Sequence, residues 1–310
     1  MSGYKYLFGP VPSRRLGASL GVSPIPERTC NYSCVYCQLG RTLRMTNTRQ
    51  EFFPLEEILA EFREYLRGSI PFDVVTVVGE GEPTLYSRLG ELIAGLKKET
   101  DKPVAVITNG ALLYDAEMRR ELMEADIVLP SLDAVTEEQY RKIDRPMGSI
   151  GFAEMAEGLR QFAREYQGQL WIEIMLVDGM NDSPEDIAAF KEFLGTIDYD
   201  RVYLNTPVRP PAEGFVHTSA PEHIDLAARE LGGISIDQLT SGSFFSEVED
   251  PYEAILSIAR RHPMNQFEVE SFLEAREIPA DQRQALMERL GQDPGITVVP
   301  YKGIITYRVE

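Results

Sequence analysis

The stretch Thr29 to Gly40, TCNYSCVYCQLG, holds every cysteine of this 310-residue chain, at positions 30, 34 and 37. Four readings compete for three thiols packed this closely. A disulfide framework wants an even number and an oxidising compartment, and the start MSGYKYLFGPVPSRR lacks the apolar stretch of a secretory signal. Structural zinc wants four ligands, commonly in two pairs, yet His217, His223 and His262 are all remote in sequence. Inert core cysteines are the bland alternative, but the Gly, Asn, Ser and Tyr around them describe an exposed loop. An iron–sulfur cluster fits best. A short loop can place three thiolates on three corners of a four-iron cubane and leave the fourth iron open, as catalytic metal sites keep a free position.

Outward from this loop the chain repeats an apolar strand followed by an amphipathic helix. Strands are expected at ASLGVSPI from 18, FDVVTVVGEG from 72, VAVITNG from 104, DIVLPSLDA from 126, LWIEIMLVDG from 170 and RVYLNTPV from 201. Short β-branched runs closed by Gly, Asn, Asp or Pro read as buried parallel strands. Helices are expected at PLEEILAEFREYLRG, LYSRLGELIAGLKKET, DAEMRRELMEA, GFAEMAEGLRQFAREY and SPEDIAAFKEFLGTI, the last opened by Ser183-Pro184-Glu185 as N-cap and first turn. Six such units predict an α/β fold, a partial (β/α)6 TIM-like barrel over residues 1–210. Its site belongs at the carboxyl ends of the strands, where the cysteine loop lies. Residues 211–250, near RPPAEGF and TSGSFF, are the least regular and predict a connecting segment. Residues 251–310 change character: three short helices and a hairpin turning near Lys302-Gly303 predict a small winged-helix-like α+β module.

A net charge of −18 excludes a general nucleic-acid binder, which needs clustered Lys and Arg. No run of 18 apolar residues exists, so no membrane span is expected and a soluble, cytoplasmic protein is. Residues 1–50 nevertheless carry seven Lys/Arg against one acid, and this basic segment surrounds the cysteines. It reads either as solvated arginines on a loop or as a positive rim for an anionic group. Residues 251–310 sum to −2. In the helix ADQRQALMERLGQ, Arg283 and Arg289 are offset by Asp281 and Glu288. DNA binding is therefore not expected, and the module is expected to cover the barrel mouth or present a substrate to it.

The C-x3-C-x2-C loop, with Tyr36 before its last cysteine and a βα repeat behind it, resembles the radical S-adenosylmethionine (SAM) superfamily over roughly residues 8–210. The resemblance implies one 4Fe–4S cluster on Cys30, Cys34 and Cys37, and SAM on the open iron. It also implies a single-electron donor of flavodoxin or ferredoxin type. GEGEPTL, Gly79 to Leu85, is similar to the family's glycine–glutamate motif, so Gly81, Glu82 and Pro83 are expected at the SAM ammonium, although a Gly/Pro turn also explains them. Asn109 of the TNG stretch, Ser131 and Asp133 of PSLDA, and Asn205 with Leu204 and Thr206 are implied as further SAM contacts. Tyr36 joins them. Turn and helix-capping roles compete for several of these.

Glu173 is the candidate catalytic residue. In WIEIMLVDG it shares a face with Met175 and Val177, and an acid on the inward face of a barrel is costly unless paired. Pointing inward it is a site residue; pointing outward it is ordinary surface. The opening FGPVPSRRLGASLGV resembles a branch related to the wyosine-base synthetases of tRNA, but this chain lacks cysteines for the second cluster that archaeal relatives carry. PSRRLG places Arg14 and Arg15 either near a phosphate or as balance for an acidic body. The function expected is a radical SAM enzyme that cleaves SAM reductively to a 5′-deoxyadenosyl radical and abstracts hydrogen from an unidentified substrate, which could be an RNA base, a protein or a small molecule. An activase modifying a partner protein, and a non-catalytic iron–sulfur or zinc redox sensor, are the alternatives.

Overall fold

A curled eight-stranded sheet forms the body of the protein, in the order β1 (Leu7–Ser13), β2 (Gly17–Val22), β5 (Val74–Val77), β6 (Val104–Thr108), β7 (Ile127–Pro130), β8 (Gln169–Met175), β9 (Arg201–Asn205) and β10 (Ile234–Ser235). β1 runs antiparallel to β2 and every other pairing is parallel. The computed structural model describes residues 4–68, 70–236, 244–246, 248–301 and 303–309.

All six expected strands are present. Their side chains alternate between two cores, as strand geometry requires. Leu20, Val22, Val75, Val77, Val106, Ile172 and Val202 face the helices, packing with Phe62 of α1 (Leu55–Tyr65), Leu92 and Leu96 of α2 (Leu89–Glu99), Phe162 of α5 (Phe152–Glu165) and Phe190 of α6 (Pro184–Leu194). The intervening residues Val74, Ala105, Leu129, Trp171 and Tyr203 close the concave side. Strands buried on both faces explain why β7 reads as an unbroken apolar run and β5 as one interrupted only by Thr76. Ser183 caps α6 with a full capping box shared with Asp186 and with Pro184 in its first turn.

Several elements were not expected. β1 carries Pro10 and Pro12, which suit an edge strand and mask its sequence signal. α7 (Pro221–Leu231) and β10 fall inside the segment expected to be irregular. Ala227 and Leu231 of α7 are buried, with Ile224, Leu226 and Ala228 half-buried against the same core. α4 (Glu137–Ile143) buries only Tyr140 and Ile143.

The C-terminal part has α8 (Pro251–Ala259), β11 (Met264–Asn265), α9 (Gln266–Ala275), α10 (Ala280–Gln292), β12 (Ile296–Tyr301) and β13 (Ile304–Val309), with sheet order β11-β13-β12. The three expected helices and the hairpin are there, and the two-residue strand β11 is an addition too short to show periodicity. Lys302, at the expected turn, lies outside the described residues; Gly303 next to it has φ +76°. Tyr252, Ile255, Ile258, Phe272, Leu273 and Leu290 make a separate core, and Val11 of β1 packs against it. Among the described residues no helix is long and apolar enough to cross a membrane.

Candidate active site

The cysteine loop begins on β3 (Thr29–Cys30), which pairs in parallel with β4 (Arg44–Met45), Cys30 opposite Met45. Its backbone is tied down at short intervals. Val35 N–H donates to Ile143 O at 2.9 Å and Ser33 N–H to Asp144 O at 3.1 Å, which docks the loop on the end of α4. Cys37 N–H donates to Cys34 O and Gly40 N–H to Cys37 O, both at 3.1 Å, turning the chain back. Asn31 is fully buried, accepts from Asn109 Nδ2 at 2.7 Å and donates to Asn47 Oδ1 at 3.2 Å. Gly81 must be glycine here: an added Cβ would sit 1.8 Å from Thr29 O, because the end of β5 runs against β3 and Glu82 N–H donates to Thr29 O at 3.1 Å.

Cys30, Cys34 and Cys37 all line one cavity of about 430 Å³ at the carboxyl ends of the strands, a volume in the range of small-molecule sites. Burial pushes all three thiols up. Asp144, whose Oδ1 lies 3.8 Å from Cys34 Sγ, adds to the rise at Cys34, while Arg308 and Arg28 partly offset it at Cys37. Half-buried thiols of this kind become thiolates when a metal binds them. Tyr32 N–H, 3.4 Å from Cys30 Sγ, and Asn109 Nδ2, 3.6 Å away, are donors suited to a ligating sulfur. Among the described residues no three His, Cys, Asp or Glu side chains converge as ligands of a single ion. Cluster corners each take one thiolate, so these sulfurs fit a cluster in their chemistry.

Of the residues expected from sequence, Tyr36, Gly81, Glu173, Asn205 and Thr206 line the same cavity with the cysteines. Glu82, Pro83, Asn109, Ser131 and Asp133 do not line it and build the wall behind it. Glu82 is buried; Oε1 accepts from Thr84 N–H at 3.0 Å and from the hydroxyls of Thr84 and Thr108 at 2.6 Å each, and Oε2 from Asn109 N–H at 2.8 Å. Burial raises its carboxyl and these donors pull it back down. Pro83 opens a 3-10 turn with Glu82 as its cap. Asp133 accepts from the Tyr36 hydroxyl and from Met175 N–H at 2.7 Å, and its carboxyl is raised by burial. Ser131 bridges to Glu173 through the backbone. Leu204, expected beside Asn205 and Thr206, instead points into the helix-side core.

Glu173 points inward and pairs with Arg15. Arg14 and Arg15 reach the cavity from the turn between β1 and β2, where Ser13 Oγ accepts from Leu16 N–H at 3.1 Å. The C-terminal part contributes to the wall at the barrel mouth as expected, but the residues that do so, with Arg209, escaped sequence reasoning. Arg209 donates to both Glu268 oxygens, at 3.1 and 2.9 Å, and its Nη2 lies 2.6 Å from His262 Nε2. His262 is held neutral by burial and by the arginines near it, so Nε2 accepts and Nδ1 carries the proton. Arg261 pairs with Glu80 at 3.4 Å. The one sequence signal was local: Asn265 and Glu268 form the capping box of α9.

A family model described as the Radical SAM superfamily matches residues 25–191. A UPF0026 protein of Methanocaldococcus jannaschii is 32% identical, covering 97% of this chain and 94% of its own length. A Brachyspira hyodysenteriae protein named GTPase Obg is 43% identical over 205 residues, which are 66% of this chain and 30% of that protein, so this chain spans under a third of that relative. Among solved structures, a radical SAM methyltransferase from Sphaerobacter thermophilus superposes with a TM-score of 0.52 at 18% identity, over 71% of this chain and 67% of that one. At that identity the likeness is one of fold.

Proposed function

Because the chain belongs to the radical SAM superfamily and is an enzyme of that kind, we propose that Cys30, Cys34 and Cys37 hold one 4Fe–4S cluster and that SAM binds beside it in the same cavity. When bound, that pair supplies reductive cleavage of SAM to a 5′-deoxyadenosyl radical, which takes hydrogen from a substrate. The observation that carries the reading is three cysteine sulfurs on one cavity of about 430 Å³ that also reaches Gly81, Glu173 and Asn205.

The chain's own residues have distinct parts in this reading. Tyr36 from the cysteine loop and Gly81 from beyond β5 bound the SAM side, and Asn205 offers an amide from β9. Glu82, Pro83, Asn109, Ser131 and Asp133 shape that side from behind. Asp133 holds the Tyr36 hydroxyl, and Glu82 locks the end of β5 to the end of β6. Glu173, steadied by Arg15, is the candidate for contact with the substrate. The partial barrel of residues 1–210 takes in α7 and β10 from the segment 211–250, and residues 251–310 form a winged-helix-like module whose Arg261, His262 and Glu268 close the cavity and exclude water from it. The electron comes from a flavodoxin- or ferredoxin-type donor, and a cytoplasmic setting suits a reduced cluster.

Anaerobic reconstitution tests the reading: about four iron and four sulfide per chain are expected, with 5′-deoxyadenosine formed from SAM under dithionite. Changing any of the three cysteines to Ala abolishes both. Stoichiometric zinc without iron uptake overturns it.

A further inference from the structure

We propose that the outer face of the cysteine loop is the docking surface for an acidic one-electron carrier protein, a proposal that rests on the cluster reading above. The cavity side of the loop faces the SAM and substrate space, so an electron must arrive from behind the loop. What lies there is a patch of six residues, Arg41, Leu43, Arg44, Met45, Arg145 and Phe215. Leu43, Phe215 and Met45 are 67%, 56% and 42% exposed, an unusual concentration of bare apolar surface.

Each part of the patch is joined to the loop backbone directly. Met45 is the strand partner of Cys30, and Thr46 N–H donates to Cys30 O at 3.1 Å, so one strand spacing of ~4.8 Å separates the outer strand from a cysteine-bearing one. Arg145 O accepts from Ser33 N–H at 3.3 Å, and Glu213 N–H donates to Val35 O at 3.1 Å. Glu213 also gathers the patch together. Its carboxylate accepts from Arg41 Nε at 2.9 Å and Arg145 Nη1 at 2.5 Å, and the Arg145 guanidinium lies 5.9 Å from the centre of the Phe215 ring. Arg44 in turn lies 5.6 Å from the centre of the Phe52 ring.

The charge of the patch chooses the partner. The patch carries Arg41, Arg44 and Arg145 against the single acid Glu213, within a chain of net charge −18. The acid at the centre of the patch, Glu213, is buried under two arginines. An acidic partner is repelled by most of this molecule and steered to this face. A basic rim around exposed apolar residues also suits a short-lived complex, in which charge sets the encounter and a small apolar contact fixes it. The transfer itself moves no atoms: the carrier is oxidised by one electron and the cluster reduced by one.

The test uses reconstituted holoprotein, with a reduced flavodoxin as probe and dithionite as small reductant, in stopped-flow measurements of the cluster's visible absorption. Wild-type reduction by flavodoxin is expected to slow as salt rises. Arg44→Glu should slow it about tenfold at low ionic strength and flatten the salt dependence. Leu43→Ser, which leaves the charge alone, should weaken apparent affinity for flavodoxin. Both variants should react with dithionite as wild type does. Wild-type flavodoxin kinetics in both variants overturn the proposal, and so does equal slowing with dithionite. Loss of RNA binding in Arg44→Glu with unchanged flavodoxin kinetics assigns the face to RNA and overturns it as well. A wild-type protein whose absorption dithionite does not bleach overturns the cluster reading itself, and the docking surface with it.

Discussion

On the barrel side of the cavity, Glu82 is held by two backbone N–H groups and two hydroxyls, every donor neutral and every one contributed by β5, β6 or the turns that follow them. On the opposite side, Arg209 grips Glu268 and His262, and Arg261 grips Glu80, so ion pairs tie the barrel to a part with its own core. The first wall is one piece with the sheet. The second is a contact between two cores, made by long side chains that can let go. A substrate has to enter somewhere, and the wall held by side-chain pairs is the one that can open without disturbing the cysteine loop.

The largest effect should come from the barrel wall. Glu82→Ala leaves two buried N–H groups and two buried hydroxyls without their acceptor, and unsatisfied buried donors are costly. A loss of about 3 kcal/mol in chemical unfolding is expected, with Glu82→Gln recovering part of it by keeping one acceptor oxygen. A Glu82→Ala protein of wild-type stability with weakened SAM binding would show instead that this carboxylate turns toward the ligand, and the contrast between the walls would fail.

The C-terminal wall should yield less. The Arg209 and Glu268 side chains are 18% and 25% exposed, enough shelter for a forked pair to count and enough water to temper it. Arg209→Ala is expected to cost about 2 kcal/mol. Arg209→Lys should keep the charge but lose the fork, and recover under half of that. If both variants unfold like wild type but limited proteolysis cuts the chain faster between 232 and 250, the pair holds the parts together without stabilising either. Equal proteolysis and equal stability would remove the ionic character claimed for this wall.

How much of this was legible beforehand divides along the same line. The barrel wall could be read because its signals are local: β-branched runs closed by Gly or Asn give strands, strand parity gives the inward face, and C-x3-C-x2-C gives the loop. Parity alone allowed Glu173 to face either way, and the Arg15 pairing is what makes its inward position tolerable. Glu82 was legible as important and not legible as buried, since nothing in GEGEPTL says that Thr108 and Asn109, a strand away, will claim its oxygens. Of the second wall, the sequence predicts only that the C-terminal module covers the barrel mouth; the residues that build it were not readable. Arg209 and His262 are 53 residues apart, neither sits in a periodic pattern, and only the packing of two cores brings them together. α7 was missed although its sequence is amphipathic, because the irregular stretches RPPAEGF before it and TSGSFF after it set the reading of the whole segment.

The smallest prediction separates the two walls by pH. His262 is half-buried in the cavity wall, and desolvation first, then Arg209, Arg14 and Arg15, holds its ring well below the ordinary histidine range. As pH falls below about 6.5 the unfolded chain takes up a proton that the folded chain refuses, so acidification favours unfolding by up to about 1.4 kcal/mol per pH unit until the depressed pKa is reached. Glu82 has the opposite sign. Burial raises its carboxyl above the unfolded value, so the folded chain protonates first and acidification relieves strain on the barrel wall. His262→Gln can still accept from Arg209 and does not titrate. Its stability deficit against wild type at pH 7.5 should therefore shrink as the pH is lowered toward 5.5, while Glu82→Gln should show no such convergence from the histidine range. Parallel pH profiles for wild type and His262→Gln would mean that the ring takes up its proton equally in the folded and the unfolded chain, and that neither burial nor the nearby arginines hold it neutral in this wall.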